Sequence, residues 1–211
     1  MIKMELYNYL QYSTIRIDVT ENNKTKSATG FFARLNNEDI LVTAKHIAEK
    51  AHTCQLHLRY KVNDEILTEA VICNLNWQTT PDSDLALCKL NSIKEQLKKV
   101  TQKDLFYLVL TEENILLKAD EPSDELIKFI TIGYVPEGTM IRSGRILMPM
   151  SDTIDDDIDL NITGFSGSPI FTKDKQLLGV SLYSETEDMF TAIDSTAFAA
   201  NCHLTALKNL I

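Results

Sequence analysis

An all-β fold, a barrel or sandwich built in two units, is what this sequence predicts, and three observations predict it. Short apolar segments recur along most of the chain: STIRIDV, TGFFARL, DILVTA, CQLHLRY, EILTEAVICNL, LALCKL, LFYLVL, IKFITIGYV, MIRSGRILM, SPIFTKD, QLLGVSLYS and MFTAID. They are rich in Ile, Val, Leu, Thr, Phe and Tyr, and clusters of Asn, Asp, Gly or Lys separate them, the pattern of strands joined by tight turns. Helical patterns, finally, are few.

Taken in chain order, the first unit runs over residues 1–100. A tight turn is readable at Leu35-Asn36-Asn37-Glu38-Asp39. The strand in LVTA ends where a short helical turn begins at His46. SIKEQLKKV, residues 92–100, is amphipathic and predicts a helix that links the two units. The second unit runs over 101–211, so each has roughly 100 residues, a common domain size. It carries a turn at Thr172-Lys173-Asp174-Lys175, and NCHLTALKNLI, residues 201–211, predicts a closing helix with Leu204, Leu207, Leu210 and Ile211 on its apolar side. The halves show no clear repeat.

Bulk properties exclude several classes. The 211 residues are 44% hydrophobic and 24% charged, enough for a real core. A net charge of −9 without a Lys/Arg run argues against nucleic-acid binding. No stretch of about 18 apolar residues predicts a membrane span. MIKMELYNYLQYSTIRI lacks a signal-peptide apolar region, so a cytoplasmic location is expected. None of Cys54, Cys73, Cys88 and Cys202 forms a CxxC pair, and free buried thiols are expected. His52-x-Cys54-x-x-His57 lacks a second ligand pair at zinc-like spacing. It reads as a strand with mixed faces, and neither a metal nor a cofactor is expected.

ITGFSGSPIF, residues 162–171, is the least ordinary stretch. Gly, Ser and Pro are common turn formers, so a plain turn is one reading. Yet the chain has only seven glycines, and Gly164 and Gly167 both lie beside Ser166. A serine becomes a nucleophile when a neutral imidazole takes its proton, and the candidates are His46, His52, His57 and His203. His46 sits at a strand end before a helical turn, where a side chain is well held. An acid to orient it is available in Asp84, at the head of the apolar strand in PDSDLALCKL, although a strand-start cap is the alternative reading there.

Together, TGFF…LVTAKHI, DSDLALCKL and ITGFSGSPIF resemble the histidine, aspartate and serine motifs of the trypsin/chymotrypsin-like serine proteases, above all the bacterial peptidases of the HtrA kind. ITIGYVPEGTMIRSGRIL, LLGVSLYS and MFTAIDSTA resemble later segments of that family, and the likeness spans residues 29–211. The resemblance implies two antiparallel six-stranded β-barrels with a C-terminal helix, and a site in the cleft between them. His46 would be the general base, Asp84 its orienting acid and Ser166 the nucleophile of a serine endopeptidase working through an acyl-enzyme. The N–H groups of Gly164 and Ser166 would form the oxyanion hole, and Gly167 would clear space beside the attacking oxygen. The primary pocket would be walled by residues around Leu160 to Thr163, by Leu182, Tyr183 and Ser184, and by the segment holding Asp188. If Asp188 points inward, cleavage after Lys or Arg is expected; a solvated turn acid is the other reading.

The sequence departs from the family at three places. Phe165 precedes the serine where digestive trypsins carry an Asp that pairs with a newly released N-terminus. Ser168 stands where many relatives have Gly, and Lys45 precedes His46 where Ala is common. The run Asp155-Asp156-Asp157 reads as a solvated loop. Two competing readings remain. Ser166, Asp188 and His203 follow the chain order of α/β-hydrolases, but Ser168 replaces the last glycine of the nucleophile elbow and no βαβ alternation is present. A trypsin-like domain acting as a peptide-binding or assembly module, inactive until a partner orders its oxyanion hole, is the non-catalytic alternative. The expected partners are a peptide or protein substrate and a regulatory protein.

Overall fold

The computed structural model describes residues 10–62, 65–79, 84–95, 97, 108–109, 123–135, 138–148, 164, 166–172, 174, 176–182 and 197–198. Among them the chain is predominantly β. Thirteen strands fall into two sheets. The first orders β5 (Glu65–Asn74), β4 (Thr53–Val62), β1 (Thr14–Glu21), β2 (Lys24–Leu35), β3 (Glu38–Ala44), β7 (Leu85–Lys89) and β6 (Trp77–Thr79), with β8 (Leu108–Val109) on β2. The second orders β10 (Gly138–Met148), β9 (Ser123–Val135), β11 (Pro169–Thr172), β12 (Leu177–Leu182) and β13 (Ala197–Phe198).

Two asparagine pairs fix the register of the first three strands. Glu21 pairs with Lys24 and Leu35 with Glu38, leaving two-residue loops. Asn22, Asn23, Asn36 and Asn37 all have positive φ, between 50° and 64°. Two successive left-handed residues are what a tight hairpin needs, and asparagine tolerates that conformation best after glycine. The turn expected at Leu35–Asp39 is therefore present, and its twin at Asn22-Asn23 was equally legible.

Residues 28–33 of β2, 39–44 of β3 and 85–88 of β7 are buried on both faces. Phe31, Ala33, Ile40, Val42, Leu85 and Leu87 meet Ile130, Ile132, Phe171, Leu177 and Val180 of the second sheet. Phe32, Leu41 and Cys88 turn the other way and meet Ile15, Ile17, Leu56, Val71 and Cys73. That second cluster draws on both ends of the first sheet, since Trp77 of edge strand β6 also packs on it. The sheet thus curls around its own core.

The expected all-β class is present among the described residues, and the two six-stranded barrels remain what the family resemblance implies. The sheets have eight and five strands, and neither closes into a hydrogen-bonded ring among these residues. Strand β1 covers β2 only as far as Phe31, leaving Ala33 and Arg34 with an open edge. Strand β8, from the second half of the sequence, fills that edge in parallel. The amphipathic stretch at 92–100 begins with a 3-10 turn at Leu90–Ser92, and the Leu97 N–H donates to the Ile93 carbonyl. Ile93 and Leu97 are buried in the second cluster, the core around which the first sheet curls, so this piece is anchored to that sheet. The closing helix expected at 201–211 lies outside the described residues. Among those described, no helix is long and apolar enough to cross a membrane.

Candidate active site

The antiparallel pairing of β3 with β7 brings two of the predicted residues together. Ala44 pairs with Leu85, and the ladder runs one step further, with the Lys45 N–H donating to the Asp84 carbonyl at 2.8 Å. The chain then turns into the four-residue helix Lys45–Ala48, which carries His46 over Asp84. The carboxylate holds the histidine twice. Oδ1 accepts the His46 backbone N–H at 3.0 Å, and Oδ2 lies 2.8 Å from Nδ1. A carboxylate only accepts, so Nδ1 carries the proton, and Nε2 of the neutral ring is left as a proton acceptor. Both side chains are about one-third exposed, at 31% and 33%, so solvent reaches the pair.

The serine loop is carried to the same region by strand β2. Ser166 is buried, and its carbonyl accepts the Thr29 N–H at 2.9 Å. The Gly164 carbonyl accepts the Thr29 hydroxyl at 2.6 Å. On the other side, the Gly167 N–H donates to Ser181 of β12 at 2.7 Å, and the Ser181 N–H donates back to Ser168 at 2.8 Å. The loop is therefore stitched to both sheets. Thr43, on β3 three residues before His46, donates its hydroxyl to the Thr29 carbonyl at 2.8 Å, so the strand that leads to the histidine also touches the loop's anchor.

Two glycines make this docking possible. Gly164 has φ +102° and Gly167 φ +88°, both in the region that side chains disfavour. A Cβ on Gly167 would lie 2.0 Å from the Thr29 carbonyl oxygen and 2.4 Å from Thr43 Oγ1. The sequence reading gave Gly167 the task of clearing space beside the serine oxygen; the structure gives it the close approach to β2 and β3. Among the described residues, no hydrogen bond joins Ser166 Oγ to the His46 ring.

Other candidates sort differently. Thr163, Tyr183, Ser184, Asp188, the Leu160 wall, Phe165, Asp155–Asp157, Cys202 and His203 lie outside the described residues, and of Leu182 only its strand pairing with Ala197 is described. His52-x-Cys54-x-x-His57 splits across β4. Cys54 faces the second cluster, whereas His57 faces the opposite side and bonds Asp18 through Nε2 at 2.8 Å. No group suited to a metal occurs among the described residues. Asp18 also accepts from Arg16 at 2.6 Å and Ser27 at 2.8 Å, tying β1 to β2 and β4. Burial pushes its carboxyl up, but the bonds from Arg16 and Ser27 and the charges of Arg16 and His57 outweigh this and hold it below its ordinary value. Cys54, Cys73 and Cys88 are free and buried, as expected. Burial drives the Cys54 thiol up to about 12 and the Cys73 thiol up to about 11.

Sequence reasoning missed Thr29 and Thr43. The one signal for Thr29 was a hydroxyl residue directly before the glycine in an otherwise apolar strand, TGFF.

No protein-family model matches the chain, and no curated protein matches it in sequence. Solved structures do match in shape. A serine endoprotease from Yersinia pestis aligns with a TM-score of 0.58 at 15% identity, over 97% of this chain and 66% of its own. The active form of the Rv3671c protease from M. tuberculosis aligns at 0.52 and 14% identity, over 94% and 86%. The HtrA-type protease AlgW with a tripeptide aligns at 0.52 and 14%, over 85% and 55%. The chain thus spans about half to two-thirds of two of these proteins and most of the third. With so little identity it is the architecture that is shared, and the fold of this chain is that of the HtrA-type and trypsin-like serine proteases.

Proposed function

We propose that the chain is a serine endopeptidase acting on peptide or protein substrates. In this reading Ser166 Oγ attacks the scissile carbonyl while His46 Nε2 takes its proton. The Gly164 and Ser166 N–H groups stabilise the oxyanion. The tetrahedral intermediate collapses, the amine leaves with the proton returned by His46, and an acyl-enzyme on Ser166 remains. Water, activated by His46, releases the acid and restores the serine. Asp84 keeps the ring in the tautomer that leaves Nε2 free and balances the imidazolium formed on the way.

The observation that supports this most is the double hold of Asp84 on His46, through the ring at 2.8 Å and the main chain at 3.0 Å. A strand-start cap would need only the main-chain bond. Closure of Ser166 Oγ onto Nε2 then belongs to the substrate-bound state, since such bonds are often long or poorly aligned before substrate binds.

A fluorophosphonate probe tests the proposal. The wild type is expected to form a covalent adduct at Ser166, found by peptide mass mapping. Ser166→Ala and His46→Ala should not react, while a His203→Ala variant should react like the wild type. If the wild type stays unlabelled with and without peptide substrates, the peptide-binding or assembly module becomes the better reading.

A further inference from the structure

Thr29 is buried completely in β2 and makes four hydrogen bonds, three of them to the second half of the chain. Its N–H donates to the Ser166 carbonyl at 2.9 Å. Its carbonyl accepts from Thr43 Oγ1 at 2.8 Å. Its hydroxyl oxygen accepts the N–H of Tyr134 on β9 at 2.9 Å and donates to the Gly164 carbonyl at 2.6 Å. The direction of the last bond follows from chemistry. An amide N–H can only donate, so Tyr134 takes an acceptor position on the hydroxyl and leaves its single proton for Gly164.

These bonds bracket the catalytic segment. The peptide plane between Ser166 and Gly167 is held at both ends, its C=O by Thr29 and its N–H by Ser181. The carbonyl of Gly164 is held by the Thr29 side chain. The two carbonyls belong to the peptide groups 164–165 and 166–167, so the groups that carry the N–H of 164 and of 166, the candidate oxyanion donors, each adjoin a plane that Thr29 holds. A planar peptide group moves as a unit, so holding one leaves its neighbour only the two dihedrals at the shared Cα. Tyr134 makes the anchor rigid in turn, with its hydroxyl on the Thr14 carbonyl at 3.1 Å and Arg59 5.0 Å from its ring centroid.

We infer that Thr29 is a positioning residue, and that its hydroxyl sets the orientation of the loop carrying Gly164 and Ser166 by bonding the Gly164 carbonyl. The catalytic consequence rests on the serine-peptidase reading; the structural one does not. Thr29 touches no substrate. It holds the oxyanion donors in place before substrate arrives, which is where preorganised donors gain their effect.

The test compares Thr29→Val, of the same shape without the hydroxyl, with Thr29→Ser, which keeps it. Two readouts are taken: amide hydrogen exchange at Tyr134 and Gly167, and kcat and KM on a peptide library substrate with the fluorophosphonate labelling rate. In Thr29→Val, exchange at Tyr134, whose N–H loses its acceptor, should quicken about tenfold, and exchange at Gly167, whose own bond goes to Ser181, should quicken as the loop loosens. The same change should lower kcat about 10²-fold, the usual result of displacing a catalytic group by about 1 Å, with KM nearly unchanged. Thr29→Ser should restore both. Wild-type exchange and kcat in Thr29→Val overturn the inference. So does a Thr29→Ser as defective as Thr29→Val, because then the methyl group and packing matter, not the bond. If Thr29→Val does not fold, Thr29→Cys, with a weak donor of similar size, is measured in the same way and should fall between wild type and inactive. If the wild type neither cleaves nor labels, the peptidase reading fails on its own. Exchange alone then decides: faster exchange rescued by serine upholds the role of Thr29, and unchanged exchange ends it.

Discussion

Replacing Gly167 with alanine should injure both stability and catalysis, and its size can be worked from the contacts. The new Cβ would start 2.0 Å from the Thr29 carbonyl oxygen and 2.4 Å from Thr43 Oγ1. An ordinary carbon–oxygen contact is about 3.3 Å, so the loop must retreat by roughly 1 Å or more. A side chain at this positive φ costs about 1–2 kcal/mol, and forcing a methyl into a filled site adds about 1–3 kcal/mol. The sum, about 2–5 kcal/mol, corresponds to a fall in melting temperature of roughly 4–20 °C for a chain of this size. A retreat of that length should also break the bonds from Thr29 and cut kcat by about 10²-fold. Thermal denaturation followed by circular dichroism, with probe labelling below the transition, measures both effects. Alanine at 167 with wild-type melting and wild-type labelling would refute the tight docking of this loop on β2 and β3. A loss of labelling without a loss of stability would instead mean that the loop moves freely and the strain is relieved locally.

Further outcomes are expected elsewhere. Asp84→Asn should lower kcat by about 10⁴-fold in steady-state kinetics, because an amide can present its NH₂ to Nδ1 and invert the tautomer; full activity would make Asp84 a cap and no more. The pKa of Asp18 is lower in the folded chain than its ordinary 3.8, so the unfolded chain binds the extra proton first. Its stabilisation is complete above about pH 4 and fades as pH falls through the folded value, so urea titrations at acid pH should show a shallower pH dependence in Asp18→Asn than in the wild type. Alkylation of the native protein with iodoacetamide should leave Cys54, Cys73 and Cys88 untouched, and all three should react in denaturant, read by mass mapping at each site.

What the sequence revealed, and what it hid, divides by range. The strands, the hairpin at Asn36-Asn37 and the special character of the Ser166 loop follow from residues adjacent in the chain, and they were legible. The pairing of His46 with Asp84 depends on how β3 and β7 align, which no local pattern states; the strand-end and strand-head positions made the two candidates, and the family resemblance joined them. The place of β8 was hidden because it answers to an open edge on β2, a property of β1 being shorter than its neighbour. Thr29 is the extreme case. Its hydroxyl meets a carbonyl 135 positions away, and nothing around it but a following glycine sets it apart. The same residue bears on the question raised by Phe165, how the loop is held where no acid precedes the serine. The loop's ties, from Thr29, itself braced by Thr43, and from Ser181, are all neutral hydroxyl and amide bonds. Such bonds neither titrate nor weaken with salt as an ion pair does. The loop should therefore keep its shape across the working range of pH and of salt.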